Sequence, residues 1–124
     1  MKTKSIEWWN KLPKTKETNV KAIEGDNVVF INGLAFLIQR TNEFNNIICL
    51  RVKQNRKSVL KTFELFRRWC EKKEIQYIRV EGTGSHRYRM LYLLQRSAPQ
   101  DAGLIFNHSE SREKGRYIWC IKTY

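Results

Sequence analysis

The stretch "VKQNRKSV", Val52 to Val59, leads from an apolar segment into a helical pattern and sets Gln54, Asn55, Arg56, Lys57 and Ser58 between the two. A loop that feeds a helix in this way turns backbone N–H groups outward, and here cationic side chains surround them. Such a loop suits an anion: the pyrophosphate of a cofactor, a nucleic-acid phosphate or, in the plainest reading, only water. Glu81, closing the apolar segment "IQYIRVE", is a carboxylate at a strand end and the first candidate for a general base, with His86 as second choice. Each also has a structural reading, Glu81 as partner of a nearby arginine and His86 as a helix-start residue. A third set mixes aromatics with cations: Trp8, Trp9, Lys57, Lys61, Arg67, Arg68, Arg87 and Arg89 fit base stacking and phosphate contact. Docking of the Trp pair into the core is the competing reading.

The elements that must carry these residues follow from periodicity. Residues 1–22 are polar and lysine-rich except Ile6, Trp8, Trp9 and Leu12, which predict a short helix ended by Pro13 with one apolar side. From Val28, "VVFI-NG-LAFLIQR" places two apolar runs around Asn-Gly, a pair that tolerates positive φ at both centres of a type I′ turn. After the polar "TNEFNN", "IICLRV" supplies a third strand and completes a meander. Ser58 is the expected N-cap of a helix that carries Val59, Phe63, Phe66 and Cys70 on one side, flanked by Leu60 and Trp69. "IQYIRVE" is then a strand reached across a helix, so it should lie parallel to the third. "GTGS" leads to a second helix, "HRYRMLYLLQRS", and "GLIFNHSESREKGRYIWCIKTY" reads as two strands joined by a charged loop from His108 to Gly115.

The predicted class is therefore α/β (α+β): a mixed central sheet of about six strands with an antiparallel meander, one parallel crossover and flanking helices. At 124 residues and 41% hydrophobic content, one domain spanning 1–124 is expected, a polar segment 1–22 followed by a core over 23–124. The formal net charge of +12 predicts attraction to a polyanion, either nucleic acid or an acidic protein surface. The longest apolar run, "VVFINGLAFLI", is interrupted by Asn32 and Gly33 and is too short for a membrane span, and the start lacks the apolar core of a secretory signal; no membrane partner and a cytoplasmic location are expected. Cys49, Cys70 and Cys120 stand singly without paired spacing, which predicts reduced structural thiols, and neither they nor His86 and His108 make a metal clip.

The order of meander, basic loop, helix, strand, helix and terminal strand pair, over Val28 to Tyr124, resembles the GNAT superfamily of N-acetyltransferases. In that family the loop before the helix reads Gln or Arg, two residues, Gly, one residue, then Gly or Ala, and its N–H groups hold the acetyl-coenzyme A pyrophosphate. Gln54 takes the first place here, while Lys57 and Val59 stand where the family has its small residues. The resemblance implies an acetyl-coenzyme A site over Val52 and Gln54 to Val59, with Arg56 and Lys57 holding phosphate by charge. It implies an amine acceptor whose proton passes to Glu81, and it puts Tyr92, in "RMLYLLQRS", where the family has the Tyr that protonates the departing thiolate. A GNAT-like acyltransferase, or a relative that has lost the glycine loop, is one reading; a non-enzymatic basic module for nucleic acid or a protein surface is the other.

Overall fold

The computed structural model describes residues 1–16, 18–40, 45–54, 59–83, 107–110 and 116–123, with the backbone alone at 59, 60, 80–83, 107–110 and 116–122. Its strands are β1 (Lys2–Lys4), β2 (Asn27–Ile31), β3 (Leu34–Gln39), β4 (Asn45–Arg51), β5 (Tyr77–Thr83), β6 (Asn107–Glu110) and β7 (Arg116–Lys122), with helices α1 (Ile6–Lys11) and α2 (Val59–Lys72). The strands form one open mixed sheet in the order β1-β2-β3-β4-β5-β7-β6, antiparallel throughout except for β4 against β5.

The meander forms where the apolar runs and the turn chemistry demand it. Ile31 pairs with Leu34, so Asn32 and Gly33 make a two-residue connection, and their φ values of 49° and 87° are those only Asn or Gly adopts at low cost. β3 then pairs with β4 from Gln39↔Asn46 to Leu34↔Arg51. The pleat sends alternate side chains to two layers. On one face Val29, Ile31, Phe36, Ile38, Ile47 and Ile78 meet Phe63, Phe66, Trp69 and Cys70 of α2. Phe36 stacks on Phe66 with ring centres 4.4 Å apart, and Phe63 meets the same ring edge-on. On the other face Val28, Ala35, Leu37 and Leu50 take Trp9 and Ala22, with Ile6, Trp8, Leu12 and Val20 packed around them.

Local chemistry sets the helix ends. Ser5 caps α1 by accepting the Trp8 N–H, and the Lys14 ammonium donates to the carbonyls of Trp9 and Leu12 at the other end, in keeping with the helix dipole. Six residues are too few for a free-standing helix, so these caps and the burial of Trp9 hold it. At the end of α2, the Ile75 N–H reaches the Cys70 carbonyl and the Glu74 N–H that of Glu71, with Glu74 at φ 59°. This Schellman arrangement redirects the chain into β5, with Glu74 where glycine is usual. Thr123, buried after β7, donates its hydroxyl to the Ile75 carbonyl and its N–H to that of Gln76, tying the last strand to the start of β5.

Three expectations change. β5 runs on through Glu81 to Thr83, so Gly82 and Thr83, read above as the start of the connection "GTGS", belong to the strand and pair with Tyr117 and Arg116. Among the described residues the sheet has seven strands, because Lys2–Lys4 pairs with β2, where the sequence reading has only a polar segment and a short helix. The penultimate strand runs Asn107–Glu110 and includes His108, Ser109 and Glu110, read above as loop; Asn107↔Cys120 to Glu110↔Tyr117 is its register. Among the described residues both β1 and β6 are polar edge strands, and a strand held by backbone pairing on one side needs no hydrophobic alternation. The predicted helix over "HRYRMLYLLQRS" lies outside the described residues.

Buried Cys70 gives one testable consequence. Loss of hydration, only partly offset by the neighbouring Arg67 guanidinium, pushes its thiol up to about 12. The folded state therefore keeps the proton after the unfolded chain has released it: this contribution to stability is complete below the ordinary thiol value of 9.0 and is lost as pH rises from there through about 12. In native protein at pH 8, Ellman's reagent is expected to label Cys49, which is half-buried, while Cys70 reacts only on unfolding. Equal labelling of both in a native Cys120→Ser variant would contradict this packing.

Candidate functional site

The parallel pair β4–β5 holds the feature most able to receive a ligand. Its register covers three positions, Asn45↔Ile78, Asn46↔Arg79 and Ile47↔Val80, all at the amino end of β4. Both strands continue past this point, β4 to Arg51 along β3 and β5 to Thr83 along β7. Among the described residues, Ile48–Arg51 and Glu81–Thr83 have no ladder partner in each other. The carboxyl ends of the two strands thus form a fork, with backbone N–H and C=O groups along both inner edges. Groups of this kind need a partner, whether water, protein or ligand. In open sheets the crevice beyond the carboxyl ends of parallel strands is where ligands are received. An Arg79 to Asn46 side-chain hydrogen bond of 3.4 Å spans the pair one position below the last ladder step, at the base of the fork.

The mouth of the fork is set by the β2–β3 turn. The Gly33 carbonyl accepts from both Val52 N–H, at 2.9 Å, and Lys53 N–H, at 3.1 Å. A Cβ on Gly33 would stand 2.7 Å from the Lys53 carbonyl oxygen, so the turn and the strand exit approach each other more closely than any side chain permits. Asn32 extends the same join to α2, donating its side-chain amide to the Thr62 hydroxyl at 3.2 Å. Arg51, Lys53 and Gln54 are exposed where the chain leaves the sheet, and α2 begins at Val59.

These facts redistribute the candidates. Val52 is removed from the anion cradle: its N–H is committed to Gly33 and its side chain packs in the α1 layer. Gln54 is exposed and Val59 opens α2, while Asn55, Arg56, Lys57 and Ser58 lie outside the described residues. Glu81 belongs to the forked part of β5, opposite Ile118 on its other side, described as backbone only. Tyr92, His86, Arg87 and Arg89 lie outside the described residues.

Trp9 is removed from the base-stacking set because it is fully buried, with its indole N–H donating to the Val20 carbonyl at 2.8 Å. Trp8 is half-buried edge-on to Phe30, with the Lys4 ammonium over its ring. On α2, burial holds the Arg67 guanidinium below its usual value, with Arg68 adding to the shift and Glu64 and Glu71 opposing it. Lys61 and Arg68 are exposed, but the same surface carries Glu71, so the helix presents mixed signs.

Sequence reading missed Asn46, Arg79 and the Gly33–Lys53 approach; only the strand register brings them together. A separate cavity of about 310 Å³ at the opposite end of β4 is lined by Asn27, Arg40, Asn45, Lys73, Glu74 and Ile75 among others. Among the described residues no helix is long and apolar enough to cross a membrane, and no three His, Cys, Asp or Glu side chains converge as a metal site. No protein-family model, curated protein or solved structure matches the chain.

Proposed function

We propose that the protein is a GNAT-type acetyl-coenzyme A-binding protein that transfers, or descends from one that transferred, an acyl group to an amine, with the coenzyme held at the β4–β5 fork. One observation carries the reading: the parallel ladder stops after three positions while both strands run on. A ligand with an extended, amide-bearing arm and a pyrophosphate end matches this place in two ways. The inner edges of Ile48–Arg51 and Glu81–Thr83 offer backbone donors and acceptors to the amides, as in the addition of a strand to a sheet edge. The exit loop leads toward the first turn of α2, where the positive end of the helix dipole favours phosphate.

With Val52 and Lys53 N–H groups committed to Gly33, phosphate contacts begin at Gln54. Arg56 and Lys57 there supply charge in place of the backbone approach that glycine permits. When bound, the coenzyme supplies the activated acyl group. Glu81 would receive the acceptor's amine proton, and the Tyr92 hydroxyl would hold a proton available to the sulfur.

Thermal unfolding in 0.3 M NaCl with acetyl-coenzyme A tests the reading. At about 100 times the dissociation constant the ligand is expected to add about 2.7 kcal/mol of stability, seen as a raised Tm. Absence of any shift at millimolar ligand would remove the coenzyme from the fork.

A further inference from the structure

The first 22 residues hold six lysines against two glutamates, a net +4 within a chain of +12. The tertiary structure places these lysines on one side of the sheet. Lys2 pairs with Phe30, so the two side chains leave the sheet on the same face, that of the α1 layer. Lys4 lies over Trp8 and Phe30 on that face, and Lys11 ends α1. Lys14, Lys16 and Lys21 belong to the segment that Leu12, Val20 and Ala22 fasten down beside it.

Two of the six have work inside the layer. Lys4 covers rings, and Lys14 closes the end of α1 and loses hydration there, which lowers its pKa. Lys2, Lys11, Lys16 and Lys21 are exposed. Among the described residues Glu7 is the one exposed carboxylate of residues 1–22, whereas at the end of α2 and just after it Arg68, Lys72 and Lys73 alternate with Glu71 and Glu74.

We infer that the α1 layer is a docking face for the phosphate backbone of nucleic acid, separate from the fork and without base readout. Three observations select this partner. Ile6, Trp8 and Leu12 pack inward, which leaves Met1 and Ile23 as separate exposed large apolar side chains, and membrane-surface binding needs a continuous apolar face turned outward. Lysine is depleted in protein–protein interfaces, whose energy comes from buried aromatic and Arg anchors, and the outer side of this layer presents lysine instead. Trp9 is buried and Trp8 is edge-on to Phe30 under Lys4, so the rings are engaged in packing, and the exposed charged side chains described in residues 1–22 are four lysines against Glu7. Mobile ammonium groups neutralising phosphates bind by counterion release, which is independent of base sequence.

The test is fluorescence anisotropy with labelled 30-mer DNA, duplex and single-stranded, between 50 and 300 mM NaCl. Four phosphate contacts predict a slope of log K against log[salt] of about −3.6 on duplex and about −2.8 on a single strand, and the arm that binds more tightly at equal salt identifies the form bound. Replacing Lys2, Lys11, Lys16 and Lys21 together by Gln should flatten the slope by about 3 and weaken binding on the order of 10³-fold at 0.1 M salt. The same four positions changed to Arg should keep the slope. Removing equal charge elsewhere, with Arg40, Arg68, Lys72 and Lys73 changed to Gln, should leave most of it. Equal loss in both Gln variants would overturn the assignment, because binding would then follow net charge and not this face. So would tighter binding to poly-glutamate or to phosphatidylserine vesicles than to either DNA. The coenzyme-dependent Tm shift should be the same in wild type and in the α1-layer Gln variant, which keeps the two sites distinguishable.

Discussion

Replacing Trp9 by Ala should lower the unfolding free energy by about 3–5 kcal/mol, the range for truncating a buried large aromatic. The ring is wholly buried and lies at the centre of the apolar cluster between α1 and the sheet. Its removal opens a cavity among Val28, Ala35, Leu37 and Leu50, and it leaves the Val20 carbonyl without the indole N–H that now satisfies it. Trp9→Phe keeps much of the apolar bulk and loses the donor, so it should cost less, about 1–3 kcal/mol. Urea unfolding followed by circular dichroism measures both. A Trp9→Ala variant as stable as wild type would mean that the ring is a surface group, and would restore base stacking as its use. Because α1 is a short element held by its caps and by this side chain, Trp9→Ala should also expose 1–22 to early proteolysis.

Gly33→Ala should cost about 3 kcal/mol, from two separable sources. A residue with a Cβ at φ 87° is strained by about 1–2 kcal/mol. The new Cβ also meets the Lys53 carbonyl oxygen at 2.7 Å, and relieving that overlap displaces backbone at the mouth of the fork, adding about 1–3 kcal/mol. Gly25 provides the control: its φ is 97°, but no atom lies within 4 Å of a Cβ built there. Gly25→Ala should therefore show the conformational cost alone. The difference between the two variants, measured by denaturant unfolding, reports the approach of the turn to the β4 exit. Equal costs would show that the turn and Lys53 are not in contact. If the fork holds the coenzyme, Gly33→Ala should also weaken the Tm shift, whereas Gly25→Ala should not.

The residues explain how far the sequence could be read. "INGL" announced a two-residue turn because Asn and Gly are the types that tolerate positive φ, and Phe63, Phe66 and Cys70 announced the buried side of α2 by their spacing. The parallel step from β4 to β5 followed from an intervening helix. Lys2–Lys4 and Asn107–Glu110 gave no such signal, since an edge strand is stabilised through its backbone and can be polar throughout. Of the candidate site, the sequence reading put Glu81 on the strand after α2 but ended that strand two residues early, since β5 runs to Thr83; residues 55–58 of the exit loop lie outside the described residues. That the Val52 N–H is taken by Gly33 required knowledge of which strand ends meet.

By itself the sequence determined the local elements of this protein and its overall charge, because turn chemistry, capping and periodicity act over a few residues and charge is a sum. Only the tertiary structure decided that the β4–β5 ladder stops at Ile47↔Val80, that Trp9 faces inward, and that the exposed lysines of the first 22 residues share a side of the sheet. Each of these depends on register and on the choice between two faces, and both are set by contacts between residues far apart in the chain.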